Sequence, residues 1–181
     1  MPTGTRSRHD EPAAQQVVAA LRVHHDACFA WSLSCCAGIR ADAEDVLQEA
    51  FVRVLDGRAR FAGRSSVRTW LFGVIRRCAL EQRRRATVRR VLSAQLLVEL
   101  VARRAPAAPE VLAESRDAAE VRRALRRLSA RQREVLELVA YHDLSIEEAA
   151  AVLGVSAGSA RTHYERGKQR LGAALVREVP T

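Results

Sequence analysis

Apolar positions along this chain recur with the spacing of helices, and no stretch alternates with the period of two that a strand requires. A first block, residues 14–90, opens with Val17, Val18 and Leu21 and predicts a helix continuing to Leu33. A helix over Ala41–Leu55 follows from Val46, Leu47, Ala50, Phe51, Val54 and Leu55, which form one apolar stripe. The loop from Asp56-Gly57 through Ser66 leads to a second stripe of Val67, Trp70, Leu71, Val74, Ile75 and Cys78, so Trp70 is assigned to the core. A polar tail, residues 1–13, precedes this block and a linker, residues 91–116, follows it. Within the linker, Ala105-Pro-Ala-Ala-Pro109 cannot continue a helix, because proline lacks the N–H and clashes with the preceding turn.

The second block, residues 117–177, starts with a stripe of Val121, Ala124, Leu125 and Leu128. Ser129-Ala-Arg-Gln132 and Ser145-Ile-Glu-Glu148 are capping-box patterns, each opening a helix. Val135, Leu136, Leu138 and Val139 face inward on the first of these. Gly154 suits a left-handed C-cap, and Ser156 caps a long last helix whose inner face carries Ala160, Tyr164, Gly167, Leu171 and Ala174. The expected fold is all-α: two small helical domains joined by a linker, the second containing a helix-turn-helix.

Charge changes the picture from fold to partner. The 181 residues hold 30 Lys+Arg against 21 Asp+Glu, a net charge of +9, and almost all the positive charge is Arg. Guanidinium forks match phosphate and guanine, so a polyanionic partner is favoured. The four cysteines, Cys28, Cys35, Cys36 and Cys78, contain no CxxC pair and read as reduced thiols in the cytoplasm. His24 and Cys28 are spaced i, i+4, but no four-ligand pattern completes a metal site, and no metal or cofactor is expected. No apolar run reaches the roughly 20 residues that span a bilayer, and no apolar signal core is present at the N-terminus. Nucleophile motifs and phosphate-cradling glycine loops are absent, so the sequence does not read as an enzyme.

Two surfaces carry candidate chemistry. Ala150-Ala-Val-Leu-Gly154-Val-Ser156 has the small residue, the turn glycine and the cap of a helix-turn-helix, whose second helix fits a major groove. On the face of that helix opposite Ala160 and Leu171 lie Ser159, Thr162, Glu165, Arg166 and Gln169, with Arg161 and Lys168 on one flank and His163 and Arg170 on the other. The centre of such a face reads bases and its flanks hold phosphates. In the first block, Arg68, Phe72 and Arg76 recur at i, i+4, i+8, an aromatic ring between guanidinium groups that suits unstacked bases. The plainer alternative is a partly buried Phe72 flanked by solubilising charges.

Both blocks, in order, resemble the extracytoplasmic-function (ECF) sigma factors of bacterial RNA polymerase. Asp42-Ala-Glu-Asp-Val-Leu-Gln-Glu-Ala-Phe51 resembles the family's core-binding helix, and Ser65-Ser-Val-Arg-Thr-Trp-Leu-Phe-Gly-Val-Ile-Arg-Arg77 its promoter-melting helix. Gln132-Arg-Glu-Val-Leu136 and Ser156-Ala-Gly-Ser-Ala-Arg-Thr162 with Arg166 resemble sigma domain four. The resemblance implies a non-catalytic subunit whose partners are core RNA polymerase, promoter DNA and an anti-sigma factor, without membrane insertion. It implies polymerase contacts from Asp45, Gln48 and Glu49. Ser65, Ser66, Arg68, Phe72, Arg76 and Arg77 would serve the downstream (−10) element, and Ser159, Arg161, Thr162, Glu165, Arg166 and Lys168 the upstream (−35) element. The chain departs from the family at Cys78 and Glu81, where Asn and often Asp are usual, and in Thr162-His-Tyr-Glu165, so base preferences do not transfer. The rival is a stand-alone helix-turn-helix regulator that binds palindromes as a dimer.

Overall fold

The computed structural model describes residues 18–97 and 123–176, and every regular element among them is a helix. The expected tail 1–13, the segment Ala105–Pro109 and Val121 lie outside the described residues. Residues 18–23 are helical and lead into α1, His25–Cys35. The expected single helix is interrupted only at His24 (φ −102°, ψ 10°), whose N–H still donates to the Ala20 carbonyl at 2.9 Å. After α1 the Gly38 N–H reaches back to the Leu33 carbonyl at 2.8 Å, which satisfies a carbonyl the helix end would otherwise orphan.

Helix α2, Arg40–Leu55, and the long α3, Val67–Leu97, complete the first unit. α3 runs seven residues beyond Arg90, into the segment read as linker. Ser66 is its N-cap: the Ser66 hydroxyl accepts from the Thr69 N–H at 3.1 Å. α1, α2 and α3 pack against one another around Cys28, Trp31, Val46, Ala50, Leu71 and Ile75.

Two corrections to the expected core follow. Trp70 is only half-buried, tilted against Phe61 at 5.3 Å between ring centroids, and Leu55 is 59% exposed. The central tryptophan is Trp31, fully buried, with its indole N–H donating to the Phe72 carbonyl at 3.0 Å. Periodicity misplaces the tryptophan because α3 is covered on two sides. Leu71, Val74, Ile75 and Cys78 are buried as one stripe, and Thr69, Phe72 and Arg76 are buried as a second, beneath the C-terminal unit.

The second unit comprises α4 (Ala130–Leu136), a π-helical turn (Glu137–Tyr141), α5 (Ile146–Leu153) and α6 (Ala157–Val176). Both expected capping boxes are present, at Ser129/Gln132 and Ser145/Glu148. The π turn was not expected; it lets the Leu144 N–H reach the Leu138 carbonyl at 3.0 Å as the chain leaves the helix. α6 crosses α4 at Gly167, where an added Cβ would meet Leu136 Cδ1 at 2.9 Å and the Gln132 carbonyl oxygen at 3.3 Å. Alanine ordinarily stabilises a helix interior by about 1 kcal/mol over glycine. Here the close approach reverses the sign, so Gly167→Ala is expected to destabilise the second unit by about 1–3 kcal/mol. Urea denaturation followed by circular dichroism checks this; an unchanged or raised midpoint would show that α4 and α6 have room to separate.

Candidate nucleic-acid interface

The turn between α5 and α6 is built by local chemistry. Ser145 accepts from the Glu148 N–H while the Glu148 carboxylate accepts from the Ser145 N–H, which fixes the start of α5. Gly154 ends α5 in the left-handed region at φ 66°. The Ser156 hydroxyl accepts from the Ser159 N–H at 3.1 Å and so starts α6. Ala150 and Ala160 are buried at the crossing of the two helices, as their small side chains require.

This scaffold leaves one face of α6 in solvent. Ser159, Arg161, Thr162, Glu165, Arg166 and Lys168 are all exposed. Thr162 Oγ1 donates to the Gly158 carbonyl at 3.0 Å, which leaves its methyl group and lone pairs outward. Arg161 lies 3.5 Å from Glu147 on the preceding helix, and Lys168 sits over the Tyr164 ring at 5.9 Å. Arg170, itself exposed, donates to the capping-box residue Gln132 at 3.3 Å and so ties α6 to α4.

The other candidate set is divided. Arg77 and Ser66 are exposed, with Ser65 and Arg68 half-buried. Ser66 is committed to its cap, and its hydroxyl lies 2.7 Å from that of Thr69. Phe72 has no exposed surface and Arg76 is 7% exposed. Arg76 makes a two-pronged contact with Glu134 of α4, at 3.3 and 3.2 Å. Phe72 stacks on Trp31 at 5.9 Å and meets the His142 ring edge-on at 4.9 Å. Thr69 donates to Glu148 at 3.0 Å, and Arg68 reaches the Asp143 carbonyl at 3.5 Å. The expected base-holding face is therefore covered by the second unit. The i, i+4, i+8 spacing of Arg68, Phe72 and Arg76 cannot distinguish a face open to solvent from one closed by a second unit.

On α2, Asp45 and Gln48 are exposed. Glu49 is engaged by Arg53 at 2.6 Å, and Arg53 also holds Glu81 of α3 at 2.7 Å. That pairing keeps the Glu81 carboxyl below its ordinary range. Val52 and Leu55, 41% and 59% exposed, continue the Asp45–Gln48 side of the helix at spacings of four and three. The sequence reading missed this apolar extension because Leu55 also fits the buried stripe.

No group of three His, Cys, Asp or Glu side chains among the described residues is placed to hold a metal ion. Burial pushes the Cys28 and Cys36 thiols up to about 12 and about 11, and raises Cys35 and Cys78 as well, which disfavours the thiolate form needed for metal binding or oxidation. Among the described residues no helix is long and apolar enough to cross a membrane.

Comparison with known proteins agrees with this geometry. Residues 24–89 match the family described as Sigma-70 region 2, and residues 118–171 match Sigma-70, region 4. The chain is 34% identical over 140 residues to the ECF RNA polymerase sigma factor SigX of Bacillus subtilis, covering 75% of this chain and 72% of that protein. It is 31% identical over 168 residues to the ECF RNA polymerase sigma factor SigF of Caulobacter vibrioides, covering 93% and 88%. Among solved structures, the sigma factor RpoE of Bartonella quintana, co-crystallised with the anti-sigma factor NepR, has a TM-score of 0.69 at 25% identity, over 91% of this chain and 99% of that one. With both sigma regions in order on an all-helical frame, the chain belongs to the ECF sigma factors of RNA polymerase.

Proposed function

We propose that this chain, which as a sigma factor binds core RNA polymerase and directs promoter-specific initiation, reads the upstream element through α6 and docks on polymerase through α2. The observation that carries this reading is the exposed face of α6, held rigid by two serine caps and a left-handed glycine. Arg166 and Glu165 supply groups that pair with guanine and cytosine edges, and Ser159 and Thr162 add short polar contacts. Arg161 and Lys168 hold the flanking phosphates. Asp45 and Gln48, with Glu49 beside them, meet basic groups of polymerase, while Val52 and Leu55 bury apolar surface against it. Ser65, Ser66, Arg68, Phe72, Arg76 and Arg77 belong to the downstream element. The site of action is the cytoplasm, and an anti-sigma factor is the expected antagonist, as NepR is the co-crystallised partner of the Bartonella protein.

The test is specific run-off transcription after addition of the chain to sigma-free core polymerase. Arg166→Ala is expected to relax preference at one upstream base pair, a loss of roughly 1–3 kcal/mol of discrimination. Lys168→Ala is expected to weaken all promoter variants alike and lower the salt slope by about 1. A uniform loss for Arg166→Ala would make it a backbone contact and rotate the reading face.

A further inference from the structure

Three groups of the second unit sit on Thr69, Phe72 and Arg76 of α3, the last two of which belong to the proposed downstream set. Glu134 presents two oxygens to the Arg76 guanidinium, the geometry a phosphate would offer. The His142 ring lies 4.9 Å from the Phe72 ring, where a base would stack. Glu148 takes the Thr69 hydroxyl at 3.0 Å. Leu138 and Leu144 of the second unit are buried in the same core cluster as Phe72 and Ile75. The reading face of α6 and the exposed side of α2 remain in solvent in the same arrangement.

We propose that the C-terminal unit is a built-in cover for the promoter-melting face, with carboxylates standing in for phosphate and an imidazole ring for a base. The inference rests on the reading of α3 as the melting helix. In the closed chain, upstream duplex recognition and polymerase docking stay available, and melting alone is masked. Opening exchanges Glu134 for the DNA backbone on the same guanidinium. Free sigma factor is thereby kept from single-stranded DNA without an inhibitor.

The test uses the full chain. Small-angle X-ray scattering reads closure, and anisotropy of a labelled, randomised single-stranded oligodeoxynucleotide reads access to the face. Glu134→Arg sets two guanidinium groups against each other and is expected to expand the chain and tighten oligonucleotide binding by about tenfold or more. Binding to duplex carrying the upstream element should not change. Arg76→Glu/Glu134→Arg is expected to restore the closed dimensions, and Arg76→Ala/Glu134→Arg to lose the gain in oligonucleotide binding. Glu134→Gln, with no new charge, should shift both readouts in the same direction by less. Expansion without tighter oligonucleotide binding, a gain that survives Arg76→Ala, or unchanged dimensions in both Glu134 variants would overturn the cover. Run-off transcription by the wild-type chain on core polymerase tests the sigma reading separately: it can succeed while the cover fails, and its absence removes the basis of both.

Discussion

Trp31→Ala is expected to destabilise the protein by about 3–5 kcal/mol, the range for removing a fully buried aromatic side chain. The indole is wholly inside, stacked on Phe72 at 5.9 Å and meeting the His142 ring at 5.7 Å. It touches Phe72 on α3 and His142 in the second unit together. Its removal opens a cavity beside the Phe72 and His142 rings and withdraws the N–H donated to the Phe72 carbonyl. Marginal stability of domains this small makes such a loss a large share of the total. Trp70→Ala, at a half-buried position against Phe61, is expected to cost clearly less. Parallel denaturation of the two variants measures the difference. A larger loss for Trp70 would return the core to the assignment that periodicity makes.

Acid is expected to act through His142. Its ring is buried, and Nε2 has no hydrogen-bond partner among the described residues. Burial, aided by the positive charge of Arg68 and opposed by Asp143, lowers its pKa from 6.5 to about 4. The closed arrangement holds the neutral ring, whereas the open or unfolded chain takes up a proton below 6.5. Titration of His142 therefore takes nothing from stability above that pH. It subtracts stability as pH falls, by about 1.4 kcal/mol per unit down to about 4, for a total of about 3 kcal/mol. Glu137 works in the opposite direction. Burial raises its pKa against the pull of Arg133 and a hydrogen bond from Ser34, so its protonation in acid favours the closed arrangement. The contribution of His142 is isolated by comparing wild type with His142→Phe at pH 7.5 and pH 5. The variant should lose markedly less stability across that interval. Parallel pH profiles would mean that the ring is solvated in the native state.

The helices were readable in the sequence because local rules determine them. Both serine capping boxes, the left-handed Gly154 and the stripe Val46–Leu47–Ala50–Val54 are recovered where the pattern puts them. The α6 face was equally readable, since a helix packed on one side presents the opposite side to solvent. What the pattern could not show was the contact between units. Thr69, Phe72 and Arg76 form a polar-aromatic row that reads as surface, and Glu134, Glu148 and His142, from more than fifty residues away, cover it. Trp31 was overlooked for a related reason: α1 is apolar on several sides, so no single stripe singles it out. The Ser65-Ser66 pair reads as the end of a polar loop, whereas the backbone uses Ser66 as the cap of α3.

The two-pronged contact between Arg76 and Glu134 also constrains how the chain can diverge. Lysine at 76 keeps the charge but loses the fork, and any neutral residue there leaves the Glu134 carboxylate with Arg131 as its remaining ion-pair partner among the described residues. Under the proposed function, one position answers to two selective pressures, one from the DNA strand and one from the chain's own second unit. Drift at 76 is then viable only when 134 drifts with it, which ties the evolution of promoter melting to that of a helix in the second unit.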